Sequence, residues 1–166
     1  MNVPSLVRCV IAALVALPLA VHAQQPEAIM VQGETMVATI HAQGAQVYEC
    51  KADASGVLVW QFREPVATLL SNGKTLGRHY AGPTWELADG SAVVAKVAAS
   101  APGASPTDIP LLKLAVVSHK GSGLLAGVDS IQRLNTKGGV AKGPCDAAGA
   151  FLSVPYSADY AFYKKS

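Results

Sequence analysis

LVWQFREPVATLLSNGKTLGRHYAGPTWELADGSAVVAKVA, residues 58–98, is the stretch on which the fold turns. Leu58, Trp60 and Phe62 alternate with Val59, Gln61 and Arg63, the period of two that a half-buried strand imposes. Pro65 lacks an N–H to give to a ladder, so the strand is expected to end there or to lie at a sheet edge. Asn72-Gly73 and Asp89-Gly90 then each sit between two runs of strand-forming residues. A type I′ hairpin turn needs positive φ at both central residues, and these dipeptides supply it. The first is expected to join residues 67–71 to 74–80, and the second 84–87 to 91–98. Gly82-Pro83 breaks the chain between the two hairpins.

The same reading extends in both directions. Residues 34–41 alternate with Met36, Ala38 and Ile40 on one face, and residues 46–51 set Tyr48 and Cys50 against Val47 and Glu49. Residues 100–110, rich in Pro, Gly and Ser, form a loop by composition. Residues 111–119 and 124–134 read as strands around the Gly121-Ser122-Gly123 turn, and residues 151–156 and 159–164 as two more. Between them lies a Gly-rich stretch, 136–149, that contains Cys145. No amphipathic helical period appears beyond residue 23, and there is no internal repeat. The prediction is an all-β chain, a single-domain antiparallel sandwich or barrel of about eight or nine short strands.

The first residues read as an address. Arg8 supplies a positive region, residues 10–20 are almost wholly apolar, and Val21-His22-Ala23 offers small or compact residues where a signal peptidase reads. The apolar run falls short of the roughly 20 residues that a membrane-spanning helix needs. Residues 1–23 are therefore expected to be a signal peptide cleaved after Ala23, leaving residues 24–166 as one β-rich domain. That domain is expected in a secreted or periplasmic location and not to span a membrane. Two cysteines, Cys50 and Cys145, remain after cleavage. In an oxidising compartment they are expected to form a disulfide closing a loop of roughly 95 residues, for which chain entropy predicts about 4–5 kcal/mol. The formal net charge is +2, one unit of it on Arg8. With basic residues this scattered, nucleic acid is not an expected partner.

Motifs for chemistry are sparse. The sequence contains no Gly-x-Ser-x-Gly elbow, phosphate-binding loop, His-Glu-x-x-His or Cys-x-x-Cys. His41, His79 and His119 each stand near an expected strand end. If those ends share a rim, the three imidazoles are a candidate metal site. Otherwise they are three unrelated turn histidines, and no cofactor is expected. A second constellation, Arg78, His79, Tyr80, Trp85 and Glu86, gathers a cation, an imidazole, two aromatic rings and a carboxylate around Gly82-Pro83. Such a set suits a ligand-binding site. Its plainer reading puts Tyr80 and Trp85 in the core and pairs Arg78 with Glu86 on the surface. Glu86 and Asp89 also form a formal carboxylate pair, for which a tight turn is the simpler explanation.

Several segments resemble an exported bacterial and fungal family known as domain of unknown function 3455. They are His41-Ala42-Gln43-Gly44 with Gln46-Val47-Tyr48-Glu49-Cys50, the run from His79 to Ser91, Ile131-Gln132-Arg133, Gly143-Pro144-Cys145-Asp146, and Val154-Pro155-Tyr156 with Ala158-Asp159-Tyr160. The resemblance implies export and a single domain, and carries no activity with it. Absent a recognisable nucleophile or acid–base set, the chain is expected to be a non-enzymatic binding or envelope-associated protein. Its partner would be an unidentified ligand or envelope component. A metal-dependent enzyme built on the histidines is the first alternative, and an inhibitor of a hydrolase the second.

Overall fold

A computed structural model describes residues 25–166. The expected signal peptide lies outside those residues. A 3₁₀ turn, Glu27–Ile29, precedes eight strands: β1 (Glu34–Ala52), β2 (Leu58–Ser71), β3 (Lys74–Tyr80), β4 (Thr84–Leu87), β5 (Ala92–Ala101), β6 (Leu111–Lys120), β7 (Ser130–Gly138) and β8 (Phe151–Lys165). Each strand pairs antiparallel with the next, and β8 returns to pair with β1, which closes the sheet into a barrel. The expected β class holds, and of the two architectures foreseen the chain adopts the barrel. Closure is through all eight strands, but β3 and β4 are short, so residues 58–66 of β2 and 96–101 of β5 have a paired strand on one side only. No helix among the described residues is long and apolar enough to cross a membrane.

Eight strands suffice because segments that read as separate are continuous. β1 runs through Gly44, where an added Cβ would overlap the Val66 carbonyl oxygen and Ala67 of β2. Glycine there marks close contact between two strands rather than a turn. β2 likewise continues through Pro65, which is buried opposite Gln46, next to the register shift between Val47 and Tyr48. β3 pairs with β2 only from Ala67 onward, so Pro65 stands where the sheet has a local edge, one of the two places the sequence allowed for it. Asn72 and Gly73 have φ of 49° and 74°, as the expected type I′ turn requires. The second hairpin forms with a different turn: Gly90 has φ 85°, but Asp89 stays out of the left-handed region. Instead the Asp89 carboxylate accepts from the Ser91 amide and hydroxyl at 2.8 and 2.6 Å.

The core fills one half of the barrel. Ile40, Leu69, Val93, Leu114, Ile131 and Phe162 point inward from six strands and are all but inaccessible. The β6–β7 loop plugs this end with Leu125 and Val128. Asp89 and Ser91 pin that loop by accepting from the Leu124 and Leu125 amides. At the other end lie the β1–β2, β3–β4, β5–β6 and β7–β8 connections. The Cys50–Cys145 disulfide, with a Cα–Cα distance of 5.8 Å, ties the last of these to β1. Outside the barrel, Gln132 donates to the Ile29 carbonyl at 2.6 Å and holds the segment before β1 against the wall.

Candidate functional site

Between the packed half and the disulfide end, the barrel encloses a cavity of about 400 Å³. An eight-stranded barrel is just wide enough to be filled by side chains or to hold one small ligand, and small-molecule pockets span roughly 300–1,000 Å³. Exposed Phe62, Arg63, Gly82, Val97 and Pro110 rim the opening, while buried His79, Trp85, Leu112, Leu114 and Tyr160 form the deeper wall. Gln46, Tyr48, Ile109 and Arg133 complete the lining. The walls are thus largely apolar, with a few polar groups from β1, β3, β7 and β8.

The strand pleat divides the Arg78–Glu86 constellation in two. Register sets Arg78 opposite Glu86, His79 opposite Trp85 and Tyr80 opposite Thr84. His79 and Trp85 turn inward. Arg78, Tyr80 and Glu86 fall on the outer face, so they do not line the cavity as the ligand-site reading expected. There Arg78 meets Glu86 at 3.1 Å, the Tyr80 hydroxyl donates to the same carboxylate oxygen at 2.7 Å, and the Arg78 guanidinium lies 4.8 Å from the Tyr80 ring. Those contacts, the Tyr80 hydroxyl foremost, hold the Glu86 carboxyl below its ordinary range. The outer trio is a surface cluster. Tyr80 is not a core residue, and the Arg78–Glu86 pair matches the plainer reading.

Inside, His79 stacks on Trp85 with centroids 4.2 Å apart and planes 13° from parallel, and Tyr160 meets both rings edge-on. His79 Nδ1 lies 2.8 Å from the Thr84 carbonyl oxygen. A carbonyl only accepts, so Nδ1 carries the proton and Nε2 of the neutral ring is left with a lone pair. Burial pushes the His79 imidazolium down to about 4, which keeps the ring neutral at physiological pH. Trp85 is only 1% exposed. It forms part of the deep wall, not the partly exposed rim that a surface site would need.

Arg133 enters from β7. Its Nε donates to the Pro110 carbonyl at 3.0 Å, and its charge acts on Tyr48, His79, Tyr156 and Tyr160. Among the described residues no carboxylate pairs with Arg133, whereas Arg63 and Arg78 each sit against a glutamate. Gln46 Nε2, Trp85 Nε1 and the Tyr156 and Tyr160 hydroxyls are buried without a hydrogen-bond partner. The two hydroxyls lie near each other, Tyr156 also near Gln46 and Tyr160 near Arg133, but none of these approaches has full hydrogen-bond geometry. Desolvation raises both above the ordinary phenol value, so both stay protonated.

The three histidines do not assemble. His41 lies on the outer face of β1, with Nδ1 2.8 Å from Asp159. His119, two strands beyond β4, bonds through Nε2 to the Val128 carbonyl at 2.7 Å. Only His79 lines the cavity. Among the described residues, no three His, Cys, Asp or Glu side chains gather so as to hold a metal ion. Asp89, spent on the β4–β5 turn and the β6–β7 loop, is likewise no partner for Glu86. Sequence reasoning missed Gln46, Arg133 and Tyr160 as site residues. Their signal lay in the family-like segments that contain them, but nothing local to those segments shows that they converge.

No curated protein and no solved structure matches the chain. Residues 31–164, nearly all of the barrel, match the family described as protein of unknown function (DUF3455), and the chain belongs to that family.

Proposed function

We propose that this barrel is a non-enzymatic binding protein that holds one small, mostly apolar molecule in its interior. The observation that carries the reading is the cavity itself: about 400 Å³, apolar-walled, open at one end and set with convergent polar groups. Protein interiors are otherwise close-packed, so a void of this size left above a complete core calls for an occupant. The signal-peptide-like pattern of residues 1–23 and the Cys50–Cys145 disulfide support a secreted or periplasmic address, where the barrel would sequester or carry its ligand.

Titration with N-phenyl-1-naphthylamine, an uncharged dye that brightens in apolar surroundings, tests the reading. The protein is expected to bind it with saturable, one-to-one stoichiometry. Val97 is 56% exposed at the rim. Val97→Trp should therefore obstruct entry and weaken binding about tenfold while moving stability by no more than about 0.5 kcal/mol. Absence of saturable binding, or a Val97→Trp variant that binds like the parent, would refute an interior site.

A further inference from the structure

Building on the ligand-binding reading, we propose that the occupant bears a carboxylate, which the Arg133 guanidinium anchors while its apolar body lies along Leu112 and Leu114. Arg133 is the charge in this cavity that the protein leaves uncompensated. Arg63, the other lining cation, is at the rim against Glu64 at 3.3 Å. His79 adds no second positive charge, since burial keeps it neutral. A guanidinium partly withdrawn from water loses hydration, and a carboxylate restores it through charge-assisted bonds that match its planar fork.

Other polar groups lining the cavity point the same way. Trp85 Nε1 and Gln46 Nε2 are donors without acceptors, and the Tyr160 hydroxyl close to the guanidinium is also unpartnered. Together with the Arg133 guanidinium these donors outnumber the one pure acceptor, His79 Nε2, which makes the cavity complementary to an acceptor-rich head group. The remaining wall, from Ile109, Leu112 and Leu114, offers no polar side-chain atom, so the rest of the molecule is apolar. The opening lies among Phe62, Gly82 and Val97, with the deep aromatic wall of Trp85 and Tyr160 behind it.

Displacement of the bound dye by 4-phenylbutyrate and by 4-phenylbutanol decides the matter, because the two differ only in the head group. The carboxylate is expected to compete at a concentration about tenfold or more below the alcohol, the range that a hydrogen bond to a charged group supplies. Arg133→Met keeps the stem and removes the charge, so the two competitors, each read against that variant's own dye affinity, should become equal within about twofold. Arg133→Lys keeps the charge without the fork and should retain part of the preference. If Arg133→Met fails to fold, the comparison in the parent protein still stands. Equal competition in the parent, or a preference that survives in folded Arg133→Met, overturns the carboxylate assignment and leaves the binding reading intact. Failure of the dye and both competitors to bind overturns both.

Discussion

His79 shows how much of this protein's behaviour rests on one side chain. The folded barrel keeps its ring neutral down to about pH 4, whereas an unfolded chain takes up the proton near 6.5. Between those values the unfolded state binds more protons, so stability rises with pH. The full stability is present above pH 6.5 and is lost as pH falls towards 4, to the extent of roughly 3 kcal/mol. Urea midpoints measured at pH 7.5 and 4.5 should therefore differ clearly in the parent. His79→Gln should lower stability at pH 7.5 and show a much shallower drop between the two values. An equal drop in both proteins would mean that other groups carry the acid sensitivity. The sequence makes His79 and Trp85 visible because they flank one turn and register joins them. It hides Gln46, Arg133 and Tyr160, which lie far apart in the chain and meet His79 only after the barrel closes.

At the scale of strands, the chain's punctuation has two meanings that local reading cannot separate. Gly73 ends a strand, with φ of 74° and no neighbour near the place of a Cβ. Gly44 ends nothing: the partner strand fills the space a side chain would occupy. Gly44→Ala should accordingly cost about 1–3 kcal/mol by overpacking. Gly127→Ala, at a site with open space and no positive φ, should fall within about 0.5 kcal/mol of the parent. Thermal melts of the pair check this, and equal midpoints would show that β1 and β2 can part to admit a methyl. This ambiguity explains the boundaries misread from sequence. Alternation located the strands, but whether Gly44 and Pro65 interrupt them depends on the neighbouring strand. Trp60 illustrates the same limit: its alternation with Phe62 suggests a core residue, yet it is only partly buried, opposite Cys50.

For the whole molecule, closure and cross-linking are separate devices, and the difference is measurable. The barrel closes through β1 and β8, whose register runs from Glu34 opposite Lys165 to Glu49 opposite Phe151. The disulfide lies just beyond that ladder and fastens the β7–β8 loop, whose Gly149 and Ala150 already exchange backbone bonds with Cys50. Removing the bridge therefore leaves the ladder intact but frees a chain segment in the unfolded state, where most of its effect arises. Cys50→Ser/Cys145→Ser should still fold to a barrel with the parent's far-ultraviolet spectrum, yet lose about 2–5 kcal/mol in a denaturant melt. Dye binding should change little: neither cysteine lines the cavity, and Tyr48 still bonds the Gly139 carbonyl at 2.7 Å near the start of the loop. A variant that does not fold would make the disulfide part of closure, and an unchanged melt would mean that the loop is held by its backbone bonds alone. Loss of dye binding from a folded variant would show instead that the bridge shapes the cavity from outside it, through the packing of Gly139 against Ile109, Gln46 and Tyr156.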